Sequence, residues 1–261
     1  MNKRELLDRA ASTAEERMTL ARVLDKYEQC QRGGFMTHTD FLTAQEQSAA
    51  EDLLRSVGEW ESHFWGGYEG AERKVMFFLP EWQEEIGDEL PFGFLRASFY
   101  TANALSHRDF LGSLMGLGLT REKIGDILVT EKSADIAVMD SVAAFLMDNW
   151  TAAGRTALKV ERISPHVLHI PQAKVRRIRA TVMSLRLDSI AAEGFGMSRS
   201  KAADLINAGK VQLNHRLCQR TDAAVEAGSV ISARGLGKFT VTNIEGVSKK
   251  GRTFVELERY L

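Results

Sequence analysis

Cysteine is scarce. The 261-residue chain has two, Cys30 and Cys218, far apart and without a CxxC partner. That argues against a disulfide framework and against a cysteine-based zinc site. No apolar run approaches the ~20 residues that cross a bilayer. The start, MNKRELLDRA, is charged and helical in character and lacks the apolar core of a signal peptide. No segment repeats and none is of low complexity. P-loop, HExxH and GxSxG motifs are absent. GFG (194–196) and GLG (235–237) are fragments without the GxGxxG spacing between a strand and a helix, so nucleotide binding lacks a motif.

What is present reads as a folded, soluble, cytoplasmic protein, with 44% hydrophobic and 26% charged residues. The net charge of −1 hides a split. From Lys174 onward there are 16 Lys and Arg against 8 Asp and Glu, a net of +8, and residues 1–173 carry 18 against 27, a net of −9. A basic C-terminal part suits a polyanionic partner, although a solvated basic surface has the same composition.

The pattern changes along the chain. Residues 1–68 read as a helical domain. Met18, Leu20, Val23, Leu24 and Tyr27 fall on one helical face, the pair Gly33-Gly34 breaks the pattern, and a further helix is expected from about Thr43. Residues 69–165 alternate strands and helices, as in an α/β sandwich. VMFFLP (75–80) and PFGFLRASFY (91–100) are strand candidates, and Ser106 with Asp109 marks a helix start. Residues 166–180 read as a basic linker. Residues 181–261 open with two short helices, followed by strands punctuated by Gly and Asn. The fold class expected is α+β.

The stretch SRSKAADLINAGKVQLN (198–214) carries the sharpest signal. Ser198 is placed to cap a helix, Ala202, Ala203, Leu205 and Ile206 form its buried face, and Gly209 ends it. Arg199 and Lys201 occupy the first turn, where they add positive charge to the positive end of the helix dipole. That placement makes sense if a phosphate binds there. Asn214-His215 reads as a turn, and RGLGK (234–238) as a basic one.

In this order the residues resemble the S4-type RNA-binding domain. LRLDSI (185–190) matches its first helix, 198–214 its second helix and strand, and TDAAVEAGSVISARG (221–235) its closing hairpin. His215 stands where glycine is usual. The resemblance implies an RNA face of Ser198, Arg199, Lys201, Lys210, Asn214, Arg216, Arg220, Arg234 and Lys238. Upstream, FWGGYEGAERKVMFFLPEW (64–82) and HRDFLGSLMGLGLTREKIGDILV (107–129) are similar to the YlmH-type family of bacterial proteins. That resemblance implies a middle domain with an RNA-recognition-motif fold. It also implies a non-catalytic RNA-binding factor on the large ribosomal subunit, in rescue or quality control of stalled translation. The expected partners are large-subunit rRNA and peptidyl-tRNA, with no membrane, no cofactor, no metal and a monomeric state. Two other readings stay open: an rRNA-modifying enzyme targeted by the C-terminal module, and a DNA-binding regulator.

Candidates for chemistry are few. His166 and His169 are three apart but flanked by Pro165 and Pro171, which favours surface or packing roles. His107, Arg108 and Asp109 diverge around a helix, so capping is favoured over catalysis. Asp188 is better read as a cap or ion pair. Phe64, Trp65 and Tyr68 suit either a base-stacking platform or a core plug, the plug being favoured.

Overall fold

The computed structural model describes residues 3–58, 63–100, 105–172, 174–247 and 251–260. The chain divides into two compact units, 1–171 and 172–261.

The first unit opens with α1 (Lys3–Ala10) and α2 (Ala14–Gly33). The Thr13 hydroxyl accepts from the Glu16 N–H at the start of α2, and Gly34 (φ 64°) closes it by donating its N–H to the Cys30 carbonyl. Strand β1 (Thr37–Leu42) leads to α3 (Ala44–Val57), capped at the expected Thr43. There the Glu46 carboxylate accepts from the Thr43 N–H at 2.7 Å while the Thr43 hydroxyl accepts in return. Two further strands, β2 (His63–Trp65) and β3 (Lys74–Phe78), complete an antiparallel sheet of order β1-β3-β2. Met76 and Phe78 of β3 face the helices, packing with Leu20, Val23, Leu53 and Leu54. Val75 and Phe77 face the other way. Both faces of β3 are thus buried, which is why its sequence is a continuous apolar run. The N-terminal helices therefore rest on a sheet. Its third strand comes from the segment read with the middle domain.

The chain continues through β4 (Phe92–Phe99), α4 (His107–Gly116), β5 (Ile124–Val129), β6 (Ser133–Met139), α5 (Asp140–Asn149), β7 (Ala152–Ala153) and β8 (Thr156–Ile163). These form a sheet of order β5-β6-β4-β8-β7. Without the two-residue β7, this is a βαββαβ unit with its first and third strands central, the RNA-recognition-motif arrangement. The helices α4 and α5 cover one face, where Leu95, Ala97, Phe99, Ile136 and Val138 meet Phe110, Leu114, Leu146 and Trp150. At the start of α4 the Asp109 carboxylate accepts from the Ser106 N–H at 2.8 Å and the Ser106 hydroxyl at 2.7 Å.

The opposite face is covered by the N-terminal sheet. Phe92, Phe94, Ala137 and Met139 pack with Phe41, Val75 and Phe77. Gly125 permits the approach, because a Cβ there would lie 2.8 Å from the Phe41 ring and 2.7 Å from the Ala137 methyl. A polar clasp fixes it. The Asp126 carboxylate on β5 accepts from the Tyr68 hydroxyl (2.7 Å) and from the N–H groups of Glu72 (2.7 Å) and Arg73 (3.0 Å). The buried Arg73 guanidinium donates to the carbonyls of Ile124, Phe41 and Arg121.

The second unit comprises β9 (Val175–Val182), α6 (Leu187–Phe195), α7 (Arg199–Asn207), β10 (Val211–Leu213), β11 (Arg216–Leu217), β12 (Val230–Ala233), β13 (Gly237–Val247) and β14 (Thr253–Tyr260). One antiparallel sheet holds all six strands, in the order β11-β10-β12-β13-β14-β9. Ile190, Ala191 and Ile206 of the helices pack on Val182, Ile231, Phe239, Val241 and Leu257. Strand β9 begins inside the segment expected to be a basic linker. Ile178, Ala180 and Val182 alternate with Arg177, Arg179 and Thr181, so a half-buried strand hides beneath its charge. Arg177 pairs with Glu258 at 3.0 Å and Arg179 with Glu256 at 2.5 Å across the sheet.

Gly194 lies in α6, where an added Cβ would meet the Phe239 ring at 2.3 Å. Glycine to alanine within a helix ordinarily gains ~1 kcal/mol. Here Gly194→Ala is expected to destabilise the second unit by about 1–3 kcal/mol through overpacking. A urea titration followed by circular dichroism reads this as a lower midpoint, and a higher midpoint would refute the close packing.

Candidate nucleic-acid interface

Helix α7 is built as its sequence suggests. The Ser198 hydroxyl accepts from the Lys201 N–H at 3.3 Å. At the other end the Gly209 N–H donates to Ile206 and the Lys210 N–H to Leu205, both at 3.0 Å, with Gly209 at φ 65°. This pair of bonds is a Schellman motif, which only a left-handed residue at that position permits. The first turn of α7 contains no acid.

The counter-charge for Arg199 comes from α6. Asp188 is 5% exposed and lies 2.9 Å from the Arg199 guanidinium and 3.2 Å from that of Arg186. Burial opposes the Asp188 charge. Hydrogen bonds from the two arginines outweigh it and hold the carboxyl below the ordinary carboxylate range. Asp188 is therefore an ion-pair residue, and it ties the starts of both helices together. Arg186 was not singled out in the sequence. The signal was available in LRLD, which sets an arginine two residues before the buried acid. Lys201 remains exposed, with no ion pair among the described residues.

The other predicted residues fall into four places. Lys210 and Arg234 meet beyond the end of α7, where the Arg234 N–H donates to the Lys210 carbonyl at 3.1 Å. Both side chains are exposed. Asn214 and Arg216 belong to the β10–β11 hairpin. Asn214 and His215 have φ of 51° and 65°, as a two-residue type I′ turn requires, so His215 adopts the conformation that glycine usually supplies. The Asn214 side-chain oxygen accepts from the Val230 N–H at 2.9 Å, which locks the hairpin to β12. Arg220 pairs with Asp222 at 3.5 Å. Lys238 lies on β13, 5.0 Å over the Tyr260 ring. The basic residues thus line two ends of α7 and the adjoining hairpin, with Arg220 and Lys238 at the margins.

The middle domain offers less than its topology promises. An RNA-recognition motif stacks bases on aromatic residues of its two central strands. Here the central strands β4 and β6 carry Arg96 and Asp135 on that face, bonded in a fork at 2.6 and 2.7 Å. Arg96 also donates to the Val167 carbonyl at 2.6 Å, and Asp135 accepts from the His169 N–H at 2.8 Å. The segment after β8 is thereby held over the sheet, with Leu168 in its core. Of the aromatics upstream, Phe64 and Tyr68 act as a plug, whereas Trp65 is 36% exposed. Phe64 packs on the N-terminal core and the Tyr68 hydroxyl is bonded to Asp126, with burial, foremost, and that carboxylate both raising its pKa.

Residues 15–81 match the family model described as YlmH, N-terminal, and residues 99–166 that described as a putative RNA-binding domain in YlmH. Residues 185–231 match the S4 domain. A relative from Bacillus subtilis (strain 168), named ribosome-associated protein quality control protein P2, is 36% identical over 227 residues. That alignment covers 86% of this chain and 87% of the relative. A solved structure titled cell division protein ylmH from Streptococcus pneumoniae is 19% identical, with a TM-score of 0.49 over 59% of this chain and 93% of that chain.

Replacing Asp188 with alanine should destabilise the second unit by about 1–3 kcal/mol. Both arginines are partly exposed and regain water, which keeps the cost below that of a fully buried pair. A carboxylate whose pKa is lower folded than unfolded stabilises above the usual range near pH ~4, and the contribution disappears as pH falls through its folded value. Urea midpoints measured on acidification should therefore fall more steeply for the parent than for Asp188→Ala. Parallel curves would remove the carboxylate from this role.

Proposed function

The chain belongs to the YlmH family, and from that premise we propose that it is a non-catalytic RNA-binding factor of the large ribosomal subunit, acting in the quality control of stalled translation. In this reading the second unit grips ribosomal RNA and touches the tRNA held there. One arrangement carries the reading: exposed cations at both ends of α7, on a module that matches the S4 domain and is basic where the rest of the chain is acidic. Lys201, Lys210, Arg216 and Arg234 are the phosphate contacts. Arg199 joins them as a guanidinium oriented by Asp188, with Arg186 beside it. Ser198 and Asn214 shape the surface, one as a cap and the other as a hairpin lock. Helix starts bind phosphate through free N–H groups, and structured RNA is read largely by shape and by its 2′-hydroxyls. The Bacillus subtilis relative's name points to the ribosome as the place of action. The net negative first 173 residues suit a part that stays off RNA and orients the module.

The experiment is sedimentation of a cell lysate containing the tagged protein through a sucrose gradient. The parent should travel with large subunits. Lys210→Ala/Arg234→Ala, which removes two exposed cations that have no ion pair among the described residues, should move toward the top. With a purified rRNA fragment, the same double variant should lower the slope of log K against log salt by about two. A parent that stays at the top in low salt would defeat the ribosome reading, and an unchanged slope would take these cations out of the interface.

A further inference from the structure

The first unit holds a cleft of about 850 Å³, bordered by α2, β1 and the turn before β5. It shares no residue with the interface described above. Arg73 lines it and is 9% exposed. A guanidinium buried so far ordinarily sits against a carboxylate. Arg73 does not. Its Nε donates to the Ile124 carbonyl at 2.9 Å, and its Nη2 to those of Phe41 and Arg121 at 3.1 and 3.2 Å. Its Nη1 has no hydrogen-bond partner among the described residues.

Arg121 lines the same cleft and repeats the pattern. Its Nη1 donates to the carbonyls of Ile124 and Gly125 at 2.6 and 3.2 Å. Its Nε and Nη2 have no hydrogen-bond partner among the described residues. Burial, then the charge of Arg73, lowers the Arg121 pKa to about 10. Burial also lowers that of Arg73, and Glu46, Asp126 and Glu122 offset this only in part. The carboxylates around the cleft are engaged elsewhere. Asp40 holds Lys123 at 2.7 Å, Glu122 holds Arg22 at 3.3 Å and Asp140 holds Arg162 at 2.8 Å. Glu46 closes the Thr43 cap, and Glu15 is exposed. Lys26 lines the cleft as well, without an ion pair among the described residues.

Desolvated guanidinium N–H groups without a counter-ion of their own are matched to an oxyanion. Met18, Phe41 and Met139 add apolar wall, and the volume lies within the range of small-molecule sites. We propose that this cleft binds a nucleotide-sized ligand through a phosphate or carboxylate group, with Arg121 and Arg73 as the oxyanion donors and Lys26 as the attracting charge. The proposal goes beyond the ribosomal reading and stands without it.

The test is thermal unfolding of the full chain with inorganic phosphate, adenosine 5′-monophosphate or citrate, each against potassium chloride of equal ionic strength. A ligand that binds only the folded chain raises Tm with its concentration. At least one probe should raise Tm saturably. Arg121→Gln should weaken that probe by about tenfold or more, and Lys26→Ala by a smaller factor. Lys132→Ala, at an exposed turn outside the cleft and the interface, should respond as the parent does. A monophosphate response far above that of phosphate identifies a nucleotide, equal responses identify the free anion, and a response to citrate alone identifies a carboxylate. If Arg121→Gln does not fold, Lys26→Ala decides. No response beyond chloride, or a parent-like response in Lys26→Ala and in any folded Arg121→Gln, overturns the proposal. RNA binding of Lys26→Ala and Arg121→Gln is a separate readout and should stay unchanged.

Discussion

A buried polar clasp around Asp126 and Arg73 governs the first unit. One carboxylate on β5 collects a hydroxyl and two main-chain N–H groups from the loop between β2 and β3, and the arginine at the end of that loop reaches three carbonyls. Arg73 is buried and Asp126 and Tyr68 are half-buried, so a missing bond among them would leave a polar group desolvated and unpaired. The clasp therefore admits one docking of the N-terminal sheet on the middle domain. Around it, Phe41 closes on Gly125 with no room for a methyl group. The two layers form one hydrophobic core where two separate domains would have exposed their aromatic faces.

That docking changes what the middle domain can do. The strand order is that of an RNA-recognition motif, yet the face such motifs use is filled. Aromatics that would stack on bases are spread instead between Phe92 and Phe94, which face the N-terminal sheet, and Phe99, which faces the helices. The central polar pair, Arg96 with Asp135, holds down the segment that follows β8. Topology alone would assign this sheet to RNA. Its side chains assign it to holding the unit together.

In the second unit the same physics appears on a smaller scale. Asp188 is buried beneath two guanidinium groups, and the pair of helices is joined by charge as well as by Ile190, Ala191 and Ile206. The arrangement reconciles a helix start rich in positive charge with its own dipole. Arg199 is neutralised from the neighbouring helix, and its guanidinium is oriented in the process. Lys201 is not, so the helix start keeps an exposed cation at its positive end.

Local signals settled much of this protein. The caps at Thr43, Ser106 and Ser198 and the left-handed turn at Gly209 follow from the residues themselves, because each depends on atoms within a few positions. The S4-type module was legible for the same reason, its helix, glycine and hairpin being close in sequence. Long-range pairing was not. Strand β3 was readable as a buried strand, but nothing in VMFFLP says which sheet receives it. Strand β9 was masked by arginines whose partners, Glu256 and Glu258, lie some eighty residues away. The counter-ion of Arg199, the filling of the middle sheet and the gathering of Arg73 with Arg121 were likewise decided by tertiary structure. Residues close in the chain set the helix ends, the turns and the chemistry carried there. Which charges are neutralised and which remain exposed depends on packing between distant segments, since desolvation and ion pairing are set by neighbours in space.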